Sequence, residues 1–292
     1  MKTRKVSRVG PDPPSLKIAL CIPFDIKDLR YLIQCLASIR NQVRQPDLIV
    51  FSFSRAPASM QDKICEWIER ITLLPPVHIL FSEVRQYAGR NRNLAAAVGK
   101  REGADIISFI DSDDIAHPRR LEMIERAFLH RPDLDAVVHS YTSITKSDPT
   151  WDFSTLSWEE PRGCLYKNCF YIVKRLFPPW RLFTQKHVIA VDPGTRDIQN
   201  GHLSIRASVW EANPYREDLN AIEDSDYNAH LYEKNINIGM ISDKLVIYLY
   251  SEGQPRTEPA NTSSSLVSSH PTETIEPHLS SNTLSQPAAS ES

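Results

Sequence analysis

Glycine is scarce in this chain: only 9 of the 292 residues are glycines, and they form no glycine-rich phosphate-binding loop. Many nucleotidyltransferases and phosphotransferases bind a phosphate with such a loop, so its absence argues against these two classes of enzyme without excluding them. Long apolar runs are missing too. None approaches the roughly 18 residues of a membrane span, and the basic residues at 1–8 have no apolar segment behind them. We therefore expect neither a secretory signal nor an integral membrane segment.

A strong net charge is also missing. The formal charge is −2 at pH 7 and the isoelectric point is about 6.5, so no positive field would attract nucleic acid, and we expect a small or neutral partner. The five cysteines are an odd number and lie mostly in apolar or helix-like stretches. Small core residues in a reducing compartment explain them better than disulfides do, which predicts a cytoplasmic protein.

The two ends of the chain differ in composition from its middle. Residues 251–292 contain no aromatic residue and are rich in Ser, Thr and Pro, a composition that cannot bury enough apolar surface to become ordered. Residues 1–14 end in a proline-rich stretch. We therefore predict a flexible arm at 1–14, a folded domain at 15–250 and a disordered tail at 251–292.

Apolar runs alternate with amphipathic stretches through the first half of the domain. Short apolar runs end at Ile22, Phe53, Phe81 and Ile110, and between them apolar residues recur at helical spacing. This pattern predicts an α/β fold with a mostly parallel, doubly wound sheet that helices cover on both faces. Residues 141–197 interrupt the alternation with many aromatic residues, which either close a second small core or line a binding groove.

The fourth apolar run ends in the acidic sequence Asp111-Ser112-Asp113-Asp114. Three neighbouring carboxylates repel one another unless a cation lies among them, so the sequence predicts a divalent metal with Asp113 as its direct ligand. The alternative is that these acids cap the helix that Pro118 starts, although one cap needs only one acid.

Two further segments carry candidate site residues. Pro23, Phe24 and Asp25 end the first apolar run, so they lie at the same edge of the predicted sheet as the acidic sequence, where ligands of such sheets bind. A predicted helix at 222–235 opens with Glu223 and Asp224. As the alternative to a functional role, these acids suit the positive end of the helix dipole.

Four blocks of sequence, taken in order, resemble the family 2 glycosyltransferases of the GT-A fold. The resemblance runs from about Leu16 to Tyr250. The blocks are residues 18–25 with the helix that follows, residues 89–93, residues 109–114 with Pro118 and Leu121, and residues 200–201 through 222–226. The order and spacing of the four blocks make the resemblance specific.

The resemblance implies a metal-dependent, inverting hexosyltransferase-type enzyme. It would transfer a sugar from a nucleoside-diphosphate sugar, with a UDP-sugar favoured, to a hydroxyl of a carbohydrate or other acceptor. Mn²⁺ or Mg²⁺ would be the cofactor. Residues 15–140 would form the nucleotide-sugar half, and residues 141–250 a smaller acceptor half.

The resemblance also implies roles for individual residues. The donor nucleotide would contact Pro23, Phe24, Asp25, Arg90, Asn93, Asp111 and Ser112. Asp111 and Asp113 would form the metal-binding DxD pair, and Asp224 would be the catalytic base. Glu223, Asn200 and Gly201 would lie on the acceptor side.

Two positions depart from the family pattern. Ser52-Phe53-Ser54 stands where the family usually has acids, and Ser251 and Glu252 follow the last strand where a histidine is often a metal ligand. These departures leave open a non-catalytic sugar-nucleotide binding protein with the same fold.

Overall fold

A computed structural model describes residues 15–71, 74–145, 157–163, 165–167, 170–177, 181–188 and 200–250. The arm predicted at 1–14 and the tail predicted at 251–292 lie outside these residues. Much of the aromatic-rich segment also lies outside them, including the side chains between residues 164 and 199.

The described residues form eleven strands and six α-helices. The strands are β1 (Ile18–Asp25), β2 (Leu48–Ser54), β3 (Val77–Phe81), β4 (Ile106–Phe109), β5 (Ile115–Ala116), β6 (Ala136–Thr145), β7 (Leu165–Lys167), β8 (Phe170–Phe177), β9 (Arg181–Val188), β10 (Ser204–Arg206) and β11 (Ile238–Tyr250). The helices are α1 (Leu32–Arg40), α2 (Ala58–Glu69), α3 (Ala88–Arg101), α4 (Arg120–His130), α5 (Ala207–Ala212) and α6 (Glu223–Glu233), with 3₁₀ turns at Ile26–Tyr31 and Asn200–His202.

Nine of the described strands form one sheet in the order β3-β2-β1-β4-β10-β6-β11-β5, with β7 also paired to β11. The first four strands are parallel, and β6 is parallel to β11. Strand β10 is antiparallel to both β4 and β6, so it joins the two predicted halves of the domain into one sheet. The predicted α/β class, with helices on both faces of a mostly parallel sheet, is confirmed.

Strand β1 shows why the first strands read as continuous apolar runs. Leu20 packs into one buried cluster with Leu36 of α1, whereas Ala19 and Cys21 pack into a second cluster with Ala95 of α3. Successive strand residues point to opposite faces, so a strand covered on both faces has no polar alternation. Helices α1, α2 and α4 supply the first cluster, and α3, α5 and α6 supply the second.

Three elements differ from the pattern in the sequence. Ile115–Ala116 forms a short strand against β11 that the sequence pattern does not predict. Helix α4 begins at Arg120 and not at Pro118. The apolar pattern predicts a closing strand over residues 244–250, but β11 already begins at Ile238, because its first residues pair in parallel with β6. Among the helices in the described part of the chain, none has both the length and the apolar character needed to cross a membrane.

Candidate active site

The acidic turn, residues 111–114, follows β4 at the edge of the sheet where β1 also ends. The backbone N–H of Asp114 donates to the carbonyl of Asp111 across 3.1 Å, which closes the turn. Asp111 and Asp113 are partly exposed, whereas Ser112 and Asp114 are buried. Two of the three carboxylates can therefore meet a ligand from solvent, and the third is enclosed by protein.

The acids of this turn do not cap the helix that follows. Helix α4 begins at Arg120, and its N-cap residue Arg119 makes no side-chain capping hydrogen bond. Instead, Nε of Arg119 donates to Oε2 of Glu122 across 2.7 Å within the first helical turn. The capping alternative is thus not observed, and the clustering of the three acids needs another explanation.

Asp114 meets a histidine from the 3₁₀ turn at Asn200–His202. Nε2 of His202 lies 3.4 Å from Oδ2 of Asp114, and both side chains are almost completely buried. Burial, followed by the charges of Asp111 and Asp113, raises the pKa of Asp114 well above its usual range. Burial also lowers the pKa of His202 to about 3. Because both shifts favour uncharged forms, we treat this contact as one between neutral groups and not as a salt bridge.

Arg120 is a buried cation next to the acidic turn. Its guanidinium donates to the carbonyl of Phe109 at 2.7 Å, to Oγ of Ser108 at 3.2 Å and to Nε2 of His139 at 2.8 Å. Because Nε2 of His139 accepts, its Nδ1 carries the proton and donates to the carbonyl of Ser140. Burial lowers the pKa of Arg120 to about 10, so the side chain remains charged at neutral pH.

Arg92 of α3 belongs to this candidate site, and the sequence-based assignment did not include it. Its side chain is only 4% exposed. Nη2 donates to Oδ1 of Asp111 across 2.9 Å, and Nη1 lies 3.2 Å from both Oε1 of Glu223 and Oδ1 of Asp224. Burial alone would lower the pKa of Arg92, but the nearby carboxylates outweigh it and raise the pKa well above its usual value. One permanently charged guanidinium therefore joins the acidic turn to the start of α6.

The spacing of small residues along α3 was a usable signal for Arg92. Residues 92, 95, 96 and 99 are buried and share the spacing of one helix face, on which the other three are Ala, Ala and Gly. An arginine on such a face must find carboxylates, because an unpaired buried charge is costly. Arg90 lies two residues earlier on a different face, and its side chain is 52% exposed.

Asn93 and Gly89 hold the loop that leads into α6. The amide of Asn93 donates to the carbonyl of Tyr215 and to Oε1 of Glu217, and it accepts from the N–H of Tyr215. A Cβ added at Gly89 would lie 2.4 Å from the carbonyl oxygen of Arg216, so only glycine permits this approach. The start of α3 is therefore a docking surface for residues 215–217, and the nucleotide contacts predicted for Arg90 and Asn93 stay predictions.

The end of β1 places its three predicted donor residues in different environments. Phe24 is fully buried and packs against Phe53 with the ring centroids 4.6 Å apart, so its side chain belongs to the core. Asp25 lies at the rim, where Nη2 of Arg55 donates to both of its carboxylate oxygens at 2.7 and 2.8 Å. Pro23 pairs with Ser52 across β1 and β2. The side chains of Asp25 and Arg55 are thus partly exposed at this rim, whereas the Phe24 ring is enclosed, and the nucleotide contacts predicted for Pro23, Phe24 and Asp25 stay predictions.

Gly201 brings the predicted acceptor side against the acidic turn. A Cβ added to Gly201 would lie 2.6 Å from Oδ2 of Asp111, so a larger residue would displace that carboxylate. Asn200 precedes it in the same 3₁₀ turn. Together with the Arg92 contacts, this packing gathers Asp111, Gly201, Glu223 and Asp224 at one place.

Within the described residues, no group of three or more His, Cys, Asp and Glu side chains is arranged to hold a metal ion by itself. A complete protein cage is not needed for every divalent metal. Mg²⁺ commonly binds through one or two carboxylates and takes its other ligands from phosphates and water. The two partly exposed carboxylates of the acidic turn suit that kind of shared coordination.

Comparison with known proteins supports this fold and family. The model of glycosyl transferase family 2 matches residues 21–191, more than half of the chain. The structure is similar to S. aureus TarS 1–349 in complex with UDP, with 16% sequence identity and a TM-score of 0.51 over 81% of this chain and 61% of that one. It is also similar to TarS 1–349 in complex with UDP-GlcNAc, with 16% sequence identity and a TM-score of 0.52 over 82% of this chain and 60% of that one.

The chain therefore spans about three fifths of those TarS structures. At this level of identity, the likeness shows the fold alone, and it confirms the predicted GT-A architecture. No curated protein gives a significant match.

Proposed function

The chain belongs to glycosyl transferase family 2, and from that membership we propose that it transfers a sugar from a nucleoside-diphosphate sugar to an acceptor hydroxyl in a metal-dependent, inverting reaction. The observation that carries this proposal is the contact of one buried guanidinium, that of Arg92, with Asp111 of the acidic turn and with Glu223 and Asp224 of α6. This contact supports a site in which the carboxylate proposed for the donor side and those proposed for the acceptor side are held at fixed positions relative to each other.

A UDP-sugar is the donor that we favour. Complexes of TarS, which has a similar fold, contain UDP and UDP-GlcNAc. In the present chain, Asp25 and the acidic turn lie at one edge of the sheet, where ligands of parallel sheets bind. At the same edge, the Arg55 guanidinium binds both carboxylate oxygens of Asp25 and so fixes the position of that carboxylate.

Asp113 and Asp111 would hold Mn²⁺ or Mg²⁺ together with phosphate oxygens and water. When bound, such a cation stabilises the negative charge that develops on the departing nucleoside diphosphate. Arg92 restricts the Asp111 carboxylate from one side, and Gly201 leaves room for that carboxylate on the other. The acidic turn is therefore held in place before any ligand binds.

Asp224 would act as the catalytic base. As the acceptor oxygen forms its bond to the anomeric carbon, the bond from that carbon to the diphosphate oxygen breaks, and the hydroxyl proton passes to the Asp224 carboxylate. A single displacement of this kind inverts the anomeric configuration. Arg92 would orient Asp224 through the contact with its Oδ1.

Two measurements on the purified protein test this function. Thermal unfolding with UDP should show a rise in Tm that requires Mn²⁺, because a ligand that binds the folded state stabilises it. Incubation with UDP-GlcNAc and Mn²⁺ should release UDP slowly, even without an acceptor. Binding without any release would indicate a non-catalytic sugar-nucleotide binding protein. If neither UDP, GDP nor CMP raised Tm, the proposal would be wrong.

A further inference from the structure

Ile222, the residue directly before Glu223 and Asp224, has an unusual backbone conformation. Its φ of 61° and ψ of 14° place it in the left-handed region. Within the described residues, the non-glycine residues with positive φ are Arg55, Ile222 and Asn235. Of these three, Ile222 alone is β-branched, and a β-branched side chain is disfavoured in this conformation by its contact with the backbone.

Ile222 is also the N-cap residue of α6, where its carbonyl accepts from the N–H of Asp226 across 2.9 Å. Asn, Asp and Ser are preferred at N-caps because their side chains bond to the free N–H groups of the first turn. Isoleucine cannot form such a bond. Asn would suit both the left-handed backbone and the cap, so isoleucine is a poor choice for local stability on two independent grounds.

The side chain of Ile222 is 71% exposed, and it is the most exposed large apolar side chain in the described part of the chain. Folding therefore gains little from burying it. Where a residue breaks local rules without a compensating contact, the cause is commonly a functional site. Ile222 lies two positions before Asp224, so their Cα atoms are at most about 7 Å apart.

We infer that Ile222 contacts the acceptor of the proposed transfer reaction, packing its aliphatic side chain against the C–H face of a sugar ring. A sugar ring presents hydroxyls at its edge and C–H groups on its face, so it can meet a carboxylate and an exposed aliphatic side chain of one short segment. Ile222 is exposed at a left-handed backbone position, two positions before the proposed base Asp224. This inference rests on the proposed function and specifies a pyranoside as the acceptor class.

Substitution of Ile222 by Asn tests the strain and the contact together. Ile222→Asn should raise Tm by about 3 °C or more, because it relieves the positive φ and supplies a helix cap. Ile222→Val keeps the branched apolar side chain and should raise it much less. A Tm for Ile222→Asn equal to or below that of the unchanged protein would overturn the argument that the position is strained.

Kinetics with two simple acceptors test the contact. With UDP-GlcNAc as donor, Ile222→Asn should raise KM for methyl β-D-glucopyranoside about fivefold, because the apolar contact is lost. KM for glycerol, which has hydroxyls but no ring face, should not change, and UDP release without acceptor should also be unchanged. Val43→Asn is the matched control, since Val43 is 68% exposed and lies in the loop between α1 and β2; it should alter neither KM.

The outcomes separate this inference from the proposed function. If the unchanged protein releases UDP but transfers sugar to no pyranoside, or if Ile222→Asn leaves KM for the glucoside unchanged, the inferred contact is wrong while the transferase function stands. If the protein neither binds nor hydrolyses a nucleotide sugar, the proposed function itself fails.

Discussion

Nη2 of Arg92 donates to Oδ1 of Asp111 across 2.9 Å, and this contact begins a bridge through the proposed active site. The other terminal nitrogen of Arg92 lies 3.2 Å from Oδ1 of Asp224. In the function that we propose, Asp111 serves the donor side and Asp224 the acceptor side. A planar guanidinium can join the two in a fixed geometry, which an ammonium group cannot.

The first prediction concerns this guanidinium. Arg92→Lys keeps the charge but removes the planar guanidinium, whose two terminal nitrogens contact different carboxylates. We therefore expect kcat to fall roughly tenfold or more, with a smaller change in KM for the donor. Arg92→Met leaves the carboxylates without their cation and should also lower the free energy of unfolding by roughly 2–4 kcal/mol. Steady-state kinetics and urea unfolding measure the two effects. Arg101→Lys is the control, because Arg101 ends the same helix and its side chain is 52% exposed. A normal kcat in Arg92→Lys would contradict the positioning role.

The second prediction isolates the proposed base. Asp224→Asn is nearly isosteric but cannot accept the acceptor proton, so sugar transfer should fall by about 10²-fold or more. The rise in Tm with UDP and Mn²⁺ should remain. Asp226→Asn changes a nearby carboxylate of the same helix and should retain most activity. Transfer at the normal rate by Asp224→Asn would mean that another group accepts the proton.

The third prediction concerns the metal-binding turn. Asp113→Asn removes the charge of the proposed direct ligand, so the Mn²⁺-dependent part of the Tm rise with UDP should be lost. Because Asp113 is partly exposed, the protein without ligands should keep its Tm within about 2 °C. Asp218→Asn, on the exposed loop before α6, is the control. A full Mn²⁺-dependent shift in Asp113→Asn would show that the metal is held elsewhere.

The fourth prediction uses the close approach at Gly201. In Gly201→Ala the new Cβ would lie 2.6 Å from Oδ2 of Asp111, so that carboxylate must move. We expect weaker Mn²⁺-dependent binding of UDP in thermal unfolding, together with slower UDP release from UDP-GlcNAc. Gly103→Asn is a useful control, because Gly103 has a φ of +81°, which Asn tolerates, and an added Cβ would lie no closer than 3.9 Å to its neighbour, Nζ of Lys17. Unaltered UDP binding in Gly201→Ala would show that Asp111 is not part of the donor site.

The sequence was sufficient for the architecture, and it named segments that the structure brings together in the candidate site. Apolar runs such as residues 106–110 mark strands buried on both faces, and the sheet edge where they end follows from parallel pairing. The acidic turn and the start of α6 could be named as candidates, because carboxylates in those positions are unusual unless a ligand or a helix end explains them. The structure then places Asp111 and Asp224 around one arginine.

The sequence was not sufficient for contacts between distant segments. The amide of Asn93 contacts Tyr215 and Glu217, which lie 122 and 124 residues later, and the sequence does not predict these contacts. Phe24 follows a strand at the site edge, yet the aromatic cluster with Phe53 draws its ring into the core. Both outcomes depend on how loops pack in three dimensions, which periodicity along the chain does not contain.

The last prediction concerns acid stability. Burial lowers the pKa of His202 to about 3 and holds that of His139 well below 6.5. In the unfolded chain both would bind protons below about pH 6.5, whereas the folded protein would not, so acidification favours unfolding. The raised pKa of Asp114 acts in the opposite direction, because the folded protein retains a proton that the unfolded chain releases. Because two histidines oppose one carboxyl group, acidification lowers the free energy of unfolding overall.

Below about pH 6.5 the free energy of unfolding should therefore fall, with a slope from this cluster that grows from near zero at pH 6.5 to on the order of 1.4 kcal/mol per pH unit near pH 5, where both histidines are protonated in the unfolded chain. Urea unfolding at several pH values measures the slope. His202→Gln removes one of the buried titrating groups and should make the slope clearly smaller. His130→Gln, at the exposed end of α4, should leave it unchanged. Equal slopes in the unchanged protein and in His202→Gln would show that His202 is not held neutral by burial.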